Sequence, residues 1–168
     1  MNIAGAGFDA YVVNLLNRQR EKGMSGKFSY AWSIICAFLA YRKPVVEIES
    51  DEMQYRGKML MIVVCNGKIF GHGLTINPYS DLENGKLNVT LLGKVTLFDY
   101  VRKLSDLKKG RAIQHEKVHY FESERITISK ATDELFVEAD GECFGKAPVT
   151  FSIAPKALNF LICKYPDL

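Results

Sequence analysis

With 168 residues the chain suffices for one domain, and its 48% hydrophobic content supports a substantial core. A net charge of +3 is too weak a basic bias for a nucleic-acid binder; it mildly favours an anionic membrane surface or a phosphate-bearing ligand. The four cysteines, Cys36, Cys65, Cys143 and Cys163, form no CxxC pair and read as reduced thiols, which points to a cytosolic protein.

In chain order, "NIAGAGFDA" reads as the end of a strand running into a glycine-rich bend. The first ten residues lack the basic and continuous apolar regions of a secretory signal. Asp9 caps a first helix, Val12, Val13, Leu15 and Leu16 give it an apolar side, and Gly23 ends it. A second helix spans about Lys27 to Arg42 and stops before Pro44. Its apolar part, "FSYAWSIICAFLAY", has 14 residues and two serines, whereas a membrane span needs roughly 20 apolar residues. It is therefore a buried helix, or one lining an apolar pocket.

From Pro44 the period changes to that of strands. "VVEIESDEMQYRGKMLMIVVCNG" reads as two strands, the second (Lys58 to Cys65) apolar on both faces and so central. "KLNVTLLG" is another strand. "VTLFDYVRKLSDLKKG" carries Leu97, Val101 and Leu104 at helical spacing, with Gly110 past its end. "KVHYF", "ERITIS", "ELFVEAD" and "APVTFSI" follow as short strands at close spacing. The fold class is mainly β: an antiparallel β-sandwich with two N-terminal helices and one inserted helix, in a single domain over residues 1–168.

Asp140 and Glu142 are the first chemical candidates. Residues two apart on a strand share a face, so two carboxylates on one edge can hold Mg²⁺ through water or act as a base. A Asp-Gly hairpin turn with a solvated acid explains the same residues and is the commoner occurrence. His72, between Gly71 and Gly73, has no second ligand at metal spacing, which argues against zinc. "GAGFDA" formally matches a dinucleotide fingerprint, but it has no full strand before it and no βαβ unit around it. His115 and His119 stand beside no nucleophile motif. The aromatics around Trp32 read first as core, and also suit a lipid-sized slot.

Four blocks taken in order carry a resemblance that none carries alone: "NIAGAGFDAYV", "VVCNGKIFGHGLTINPYSDLENGKLNV", "DGECFGKAPV" and "IAPKALNFLI". The chain resembles the C-terminal domain of the diacylglycerol kinase/sphingosine kinase-like lipid kinases, including the bacterial enzymes, over essentially its whole length. The resemblance implies an ATP-dependent kinase that phosphorylates a lipid hydroxyl in phospholipid metabolism. It implies that Glu142 is the general base, with Asp140 and Gly141 setting the turn near the nucleotide. It implies that Asp9 lies near the lipid head group, and that the helix around Trp32 and Phe38 lines the acyl slot. A structural Mg²⁺ would fall to Asp81, Asn84 and Lys86; Asn84 stands where relatives have aspartate, keeping an oxygen and losing the charge. ATP and Mg²⁺ would be held mainly by an N-terminal domain with a G-G-D-G-T loop that these residues do not contain.

The implied partners are therefore that nucleotide-binding domain, a lipid with a free hydroxyl and the membrane surface; no nucleic acid is expected, and a homodimer is compatible. The implied location is the cytoplasm, peripheral at the membrane, and the fragment alone is expected to be inactive. Two other readings compete: a non-catalytic β-sandwich module that binds lipid, and a hydrolase built on Asp140 and Glu142, whose spacing is closer than a glycosidase pair requires.

Overall fold

The computed structural model describes residues 1–21, 35–70 and 73–159. Trp32, Gly71, His72, Cys163, the start of the second helix and most of "IAPKALNFLI" beyond residue 159 lie outside the described residues. Strand β1 (Ile3–Gly7) leads directly into helix α1 (Phe8–Glu21). Helical backbone at 35–40 (α2) follows. Next come β2 (Val45–Ser50), β3 (Gln54–Lys58), β4 (Met61–Cys65), the short pair β5 (Ile69–Phe70) and β6 (Leu74–Thr75), and β7 (Leu87–Leu92). Helix α3 (Leu97–Lys108) precedes β8 (Val118–Ser123), β9 (Arg125–Ala131), β10 (Phe136–Ala139), β11 (Glu142–Lys146) and β12 (Val149–Ser152).

The strands form a six-stranded sheet in the order β11-β10-β1-β4-β7-β8 and a four-stranded sheet in the order β12-β9-β2-β3. All pairs are antiparallel. The expected β-sandwich with its inserted helix is therefore the observed fold. "VVEIESDEMQYRGKMLMIVVC" folds as three strands rather than two, because Ser50 and Met53 close a tight turn: Ser50 N–H donates to the Met53 carbonyl (3.0 Å).

Alternation on the central strands separates two cores. Met61, Val63 and Cys65 face α1, α2 and α3, with Phe8, Phe38, Val95 and Leu107 among their neighbours. Ile62 and Val64 face the four-stranded sheet and meet Val46, Ile48, Ile126 and Ile128. The molecule thus has a helical layer, the larger sheet, and the smaller sheet. The central position expected for Lys58 to Cys65 is the one β4 holds, with all five residues buried.

β1 is made of "IAGAG", buried throughout and paired with both β10 and β4. Small residues are needed because α1 turns back over this strand. A Cβ on Gly5 would run into the Asp9 carboxylate. Gly7 has φ +113°, and a Cβ there would lie 2.6 Å from the Leu60 carbonyl oxygen, the same oxygen that accepts the Phe8 N–H at 3.0 Å. α3 starts at a capping box: Thr96 Oγ1 accepts the Asp99 N–H, and Asp99 Oδ2 accepts the Thr96 N–H, both at 3.2 Å. Gly110, at φ +67°, follows its end.

Gly7→Ala combines left-handed backbone with a clash against fixed backbone and is expected to cost at least about 2 kcal/mol. Gly141→Ala, with nothing near its Cβ, is expected to cost about 1 kcal/mol from backbone strain alone. Urea unfolding of the two variants beside the parent checks the order; equal losses would contradict the packing assigned to β1.

Candidate functional site

The densest chemistry lies where β1, β10 and α1 meet, on the helical side of the larger sheet. Asp9 sits in the first turn of α1, and its Oδ1 accepts the Ala10 N–H at 2.8 Å. Its carboxylate folds back over Gly5. Gly5 pairs across the ladder with Glu138, so Glu138 rises on the same face, buried, and its Oε2 accepts the Gly141 N–H at 2.8 Å. Two acids share this pocket of the fold. Burial, and after it the Glu138 charge, push the Asp9 carboxyl up to about 7. Burial first, and then Asp140, also raise Glu138, against the opposing pull of the Gly141 N–H.

Tyr41 closes the cluster from the end of α2. Its ring contacts Phe8 at 5.6 Å and Tyr11 at 5.3 Å, and its buried hydroxyl has no hydrogen-bond partner among the described residues. Burial, followed by the charges of Asp9 and Asp133, raises its pKa. A near-neutral acid, a second acid and an unsatisfied hydroxyl can donate to and accept from a ligand's hydroxyl or amine. Asp9 is the residue the sequence picked out. Glu138 and Tyr41 were missed; the signal for Glu138 was a charged residue within an apolar strand, which only its pairing with a glycine explains.

Asp140 and Glu142, expected on one edge, have separate jobs. Asp140 (φ 51°) and Gly141 (φ 88°) form the left-handed pair of a tight hairpin. The Asp140 carboxylate accepts the N–H groups of Asn2 and Ile3, each at 2.9 Å to Oδ1, and so ties the chain start to this turn. Glu142 opens the edge strand β11, exposed, with no hydrogen bond or ion pair among the described residues. It pairs with Ala139, which pairs with Ala4, on the sheet face opposite Asp9. The next residue, Cys143, pairs with Glu138, and its Sγ accepts from Asn14 Nδ2 of α1 at 3.8 Å.

Phe38 is buried, edge-on to Phe8 at 5.0 Å, with Lys43 Nζ 5.1 Å from its ring centre. The ring is committed to the helical core rather than to an open slot. Asp81, Asn84 and Lys86 lie in the turn before β7, and their donors fit a divalent ion poorly. Asp81 Oδ1 accepts the Glu83 N–H and Asn84 Oδ1 the Lys86 N–H, both at 2.9 Å. Asn84 Nδ2 donates to Glu122 Oε1 at 3.1 Å, and the Lys86 carbonyl accepts from Asn88 Nδ2 at 3.4 Å. The Lys86 ammonium itself lies 3.6 Å from Glu122. Among the described residues the buried oxygens without a partner in this turn, Ser80 Oγ and Asn88 Oδ1, are too few for a cation of six oxygens. Among the described residues no cluster of three His, Cys, Asp or Glu side chains could hold a metal.

A helix-covered β-sandwich in which a half-buried Asp9 at the start of the first helix meets a buried Glu138 from β10 defines the class: a ligand-binding or catalytic β-sandwich domain. Residues 2–162 match the family described as the YegS C-terminal NAD kinase beta sandwich-like domain, and the chain belongs to that family. It is 24% identical over 164 residues to a probable lipid kinase YegS-like of Shewanella frigidimarina, covering 96% of this chain and 52% of that protein. It is 24% identical over 130 residues to a diacylglycerol kinase of Bacillus subtilis, covering 77% and 43%. A solved structure of a putative diacylglycerol kinase of Bacillus anthracis superposes with a TM-score of 0.61 at 20% identity, over 92% of this chain and 50% of that one. That likeness concerns the fold. The chain spans about half the length of the curated relatives it matches.

Two outcomes test the site. The Asp9 pKa is raised from 3.8 to about 7 on folding. Its contribution to stability is therefore complete below about pH 4 and is lost as pH rises through 7. Thermal melts between pH 4 and 8 should show Asp9→Asn gaining on the parent as pH rises; parallel curves would contradict the enclosed carboxylate. Separately, millimolar Mg²⁺ or a chelator should leave the melting temperature unchanged, since only a bound ion would shift it. Asn84→Asp, which restores a charge, is the variant in which a Mg²⁺-dependent shift should first emerge.

Proposed function

We propose that the chain is the C-terminal, lipid-binding part of an ATP-dependent, diacylglycerol kinase-like enzyme. The observation that carries this reading is the family match across residues 2–162, together with relatives about twice this length that are named as lipid kinases. In this reading an N-terminal domain holds ATP and Mg²⁺, and the protein works in the cytoplasm, peripherally at the membrane. No helix among the described residues is long and apolar enough to cross a membrane.

The chemistry asked of these residues is limited. The lipid's primary hydroxyl must lose its proton as its oxygen bonds to the γ-phosphorus and the bond to the ADP oxygen breaks. Glu142 is the proposed acceptor of that proton. Its carboxylate is exposed, with no ion pair among the described residues, and the turn before it is locked by Asp140 on Asn2 and Ile3. Asp9 is the proposed head-group residue: at a pKa of about 7 it can donate a hydrogen bond to the lipid or accept one from it. Glu138 holds Asp9 in that state. The helix that carries Phe38 is proposed to border the acyl chains, with Phe38 supporting it from within, and Trp32 is proposed to contribute to the same acyl slot.

One observation favours a second reading, a lipid-binding module without catalysis: Glu142 stands on the sheet face opposite Asp9. A single assay separates the two. In the full-length protein, Glu142→Gln should lower kcat for a short-chain diacylglycerol by about 10²–10⁴-fold with an unchanged melting curve. Unaltered turnover would remove Glu142 as the base, and absence of any ATP-dependent turnover in the parent, across a panel of lipid alcohols, would leave the binding module.

A further inference from the structure

The outward side of the helical layer has a composition that neither the core nor the acidic site explains. On α3, residues 98, 101, 102, 105 and, just past its end, 109 fall on one side at helical spacing. Phe98 is 72% and Val101 55% exposed, and Arg102 and Lys109 beside them are exposed too. The two acids of this segment are turned to other work. Asp99 closes the capping box and lies 3.7 Å from His115, and Asp106 pairs with Lys103 at 3.4 Å. Residues 94–111 hold six cations against those two acids, a surplus of four where the whole chain has only +3.

The surplus does not stop at the helix. Lys94, just before the cap, lies close enough to Lys43 for the two charges to repel, and Lys58 adds to the group. Lys43 leads from α2, where Leu39 is 74% exposed. Exposed apolar side chains, Leu39 on α2 and Phe98 with Val101 on α3, thus occur on the elements that adjoin Lys43 and Lys94. Like charges held together gain from an anionic neighbour, and bulky apolar side chains beside them gain from leaving water. Among common partners a bilayer with anionic phospholipids supplies both at the right depth, phosphates at the level of the cations and acyl chains just below. Nucleic acid would meet the cations and leave Leu39 and Val101 without a match.

We propose that the outer face of α3, with Lys43, Lys58 and Lys94, is a docking surface for an anionic phospholipid bilayer, Phe98 and Val101 entering the acyl boundary. This deepens the lipid-kinase reading and rests on it for the membrane as place of work, while its readout needs no phosphoryl transfer.

Flotation of the full-length protein with vesicles of phosphatidylcholine alone, or mixed with phosphatidylglycerol, tests it. Binding is expected to the mixed vesicles only and to weaken as salt rises. The double variant Phe98→Ser, Val101→Ser should lose roughly tenfold or more in partition, and Arg102→Gln with Lys109→Gln should bind more weakly with a shallower salt dependence, each with the parent's melting curve. Because all four side chains are exposed, folding should survive. Failure of the parent to bind mixed vesicles, or equal binding by the variants, overturns the proposal. So does a Phe98→Cys variant that takes up no more of a soluble thiol reagent than the parent does without vesicles, which would mean that another part of the protein or a second copy covers the face. A protein that phosphorylates short-chain diacylglycerol yet ignores vesicles would lose this surface and keep the kinase reading; one that docks but never phosphorylates would do the reverse.

Discussion

Close approach of α1 to β1 is the constraint on which the rest depends. The five residues of β1 are buried and lie between β10 and β4 in the larger sheet, and the helix that follows folds back over them at once. That geometry demands glycine at position 5, where the Asp9 carboxylate takes the space of a side chain, and glycine at position 7, where the backbone turns left-handed against the Leu60 carbonyl. Asp140 then secures the strand from its far end through the amides of Asn2 and Ile3. Fold and candidate site are thus one construction: the turn that packs helix on sheet also encloses the acid.

Enclosure is what makes that acid chemically interesting. A carboxylate at the start of a helix is ordinarily favoured in its charged form, because it faces unpaired backbone N–H groups. At Asp9 the loss of water outweighs that help, and Glu138 on the neighbouring strand adds to the penalty. Glu138 is itself held in place by the Gly141 N–H, so the Asp140–Gly141 turn acts on both ends of the arrangement. Glu142 escapes it altogether, being on an edge strand and on the other face.

Two layers of the molecule are built on different terms. Between the sheets the packing is almost wholly aliphatic, with Val46, Ile48, Ile62, Val64, Ile126 and Ile128 nearly inaccessible, and burying each such side chain is worth roughly 1.5–3 kcal/mol. The helical layer mixes aromatic rings with the acidic pair, and its outer surface carries exposed Leu39, Phe98 and Val101 among lysines. Both layers contribute buried cores, but only the helical one combines its core with titratable side chains and an exposed apolar surface.

Periodicity and turn residues by themselves determined most of the longer strands, though not the division of β2 from β3, together with the helix α3 with its closing Gly110, the central place of β4 and the sandwich class, because each follows from local spacing of apolar residues and from glycine's freedom at positive φ. Four short blocks read in order also pointed to the family that residues 2–162 match. Only the tertiary structure decided which acids meet. Glu138 reaches Asp9 because antiparallel register sets it opposite Gly5, more than 130 residues away in sequence, and Glu142 departs because pairing with Ala139 turns it to the other face. Register between distant strands is fixed by the summed packing of both cores, and no local pattern encodes it.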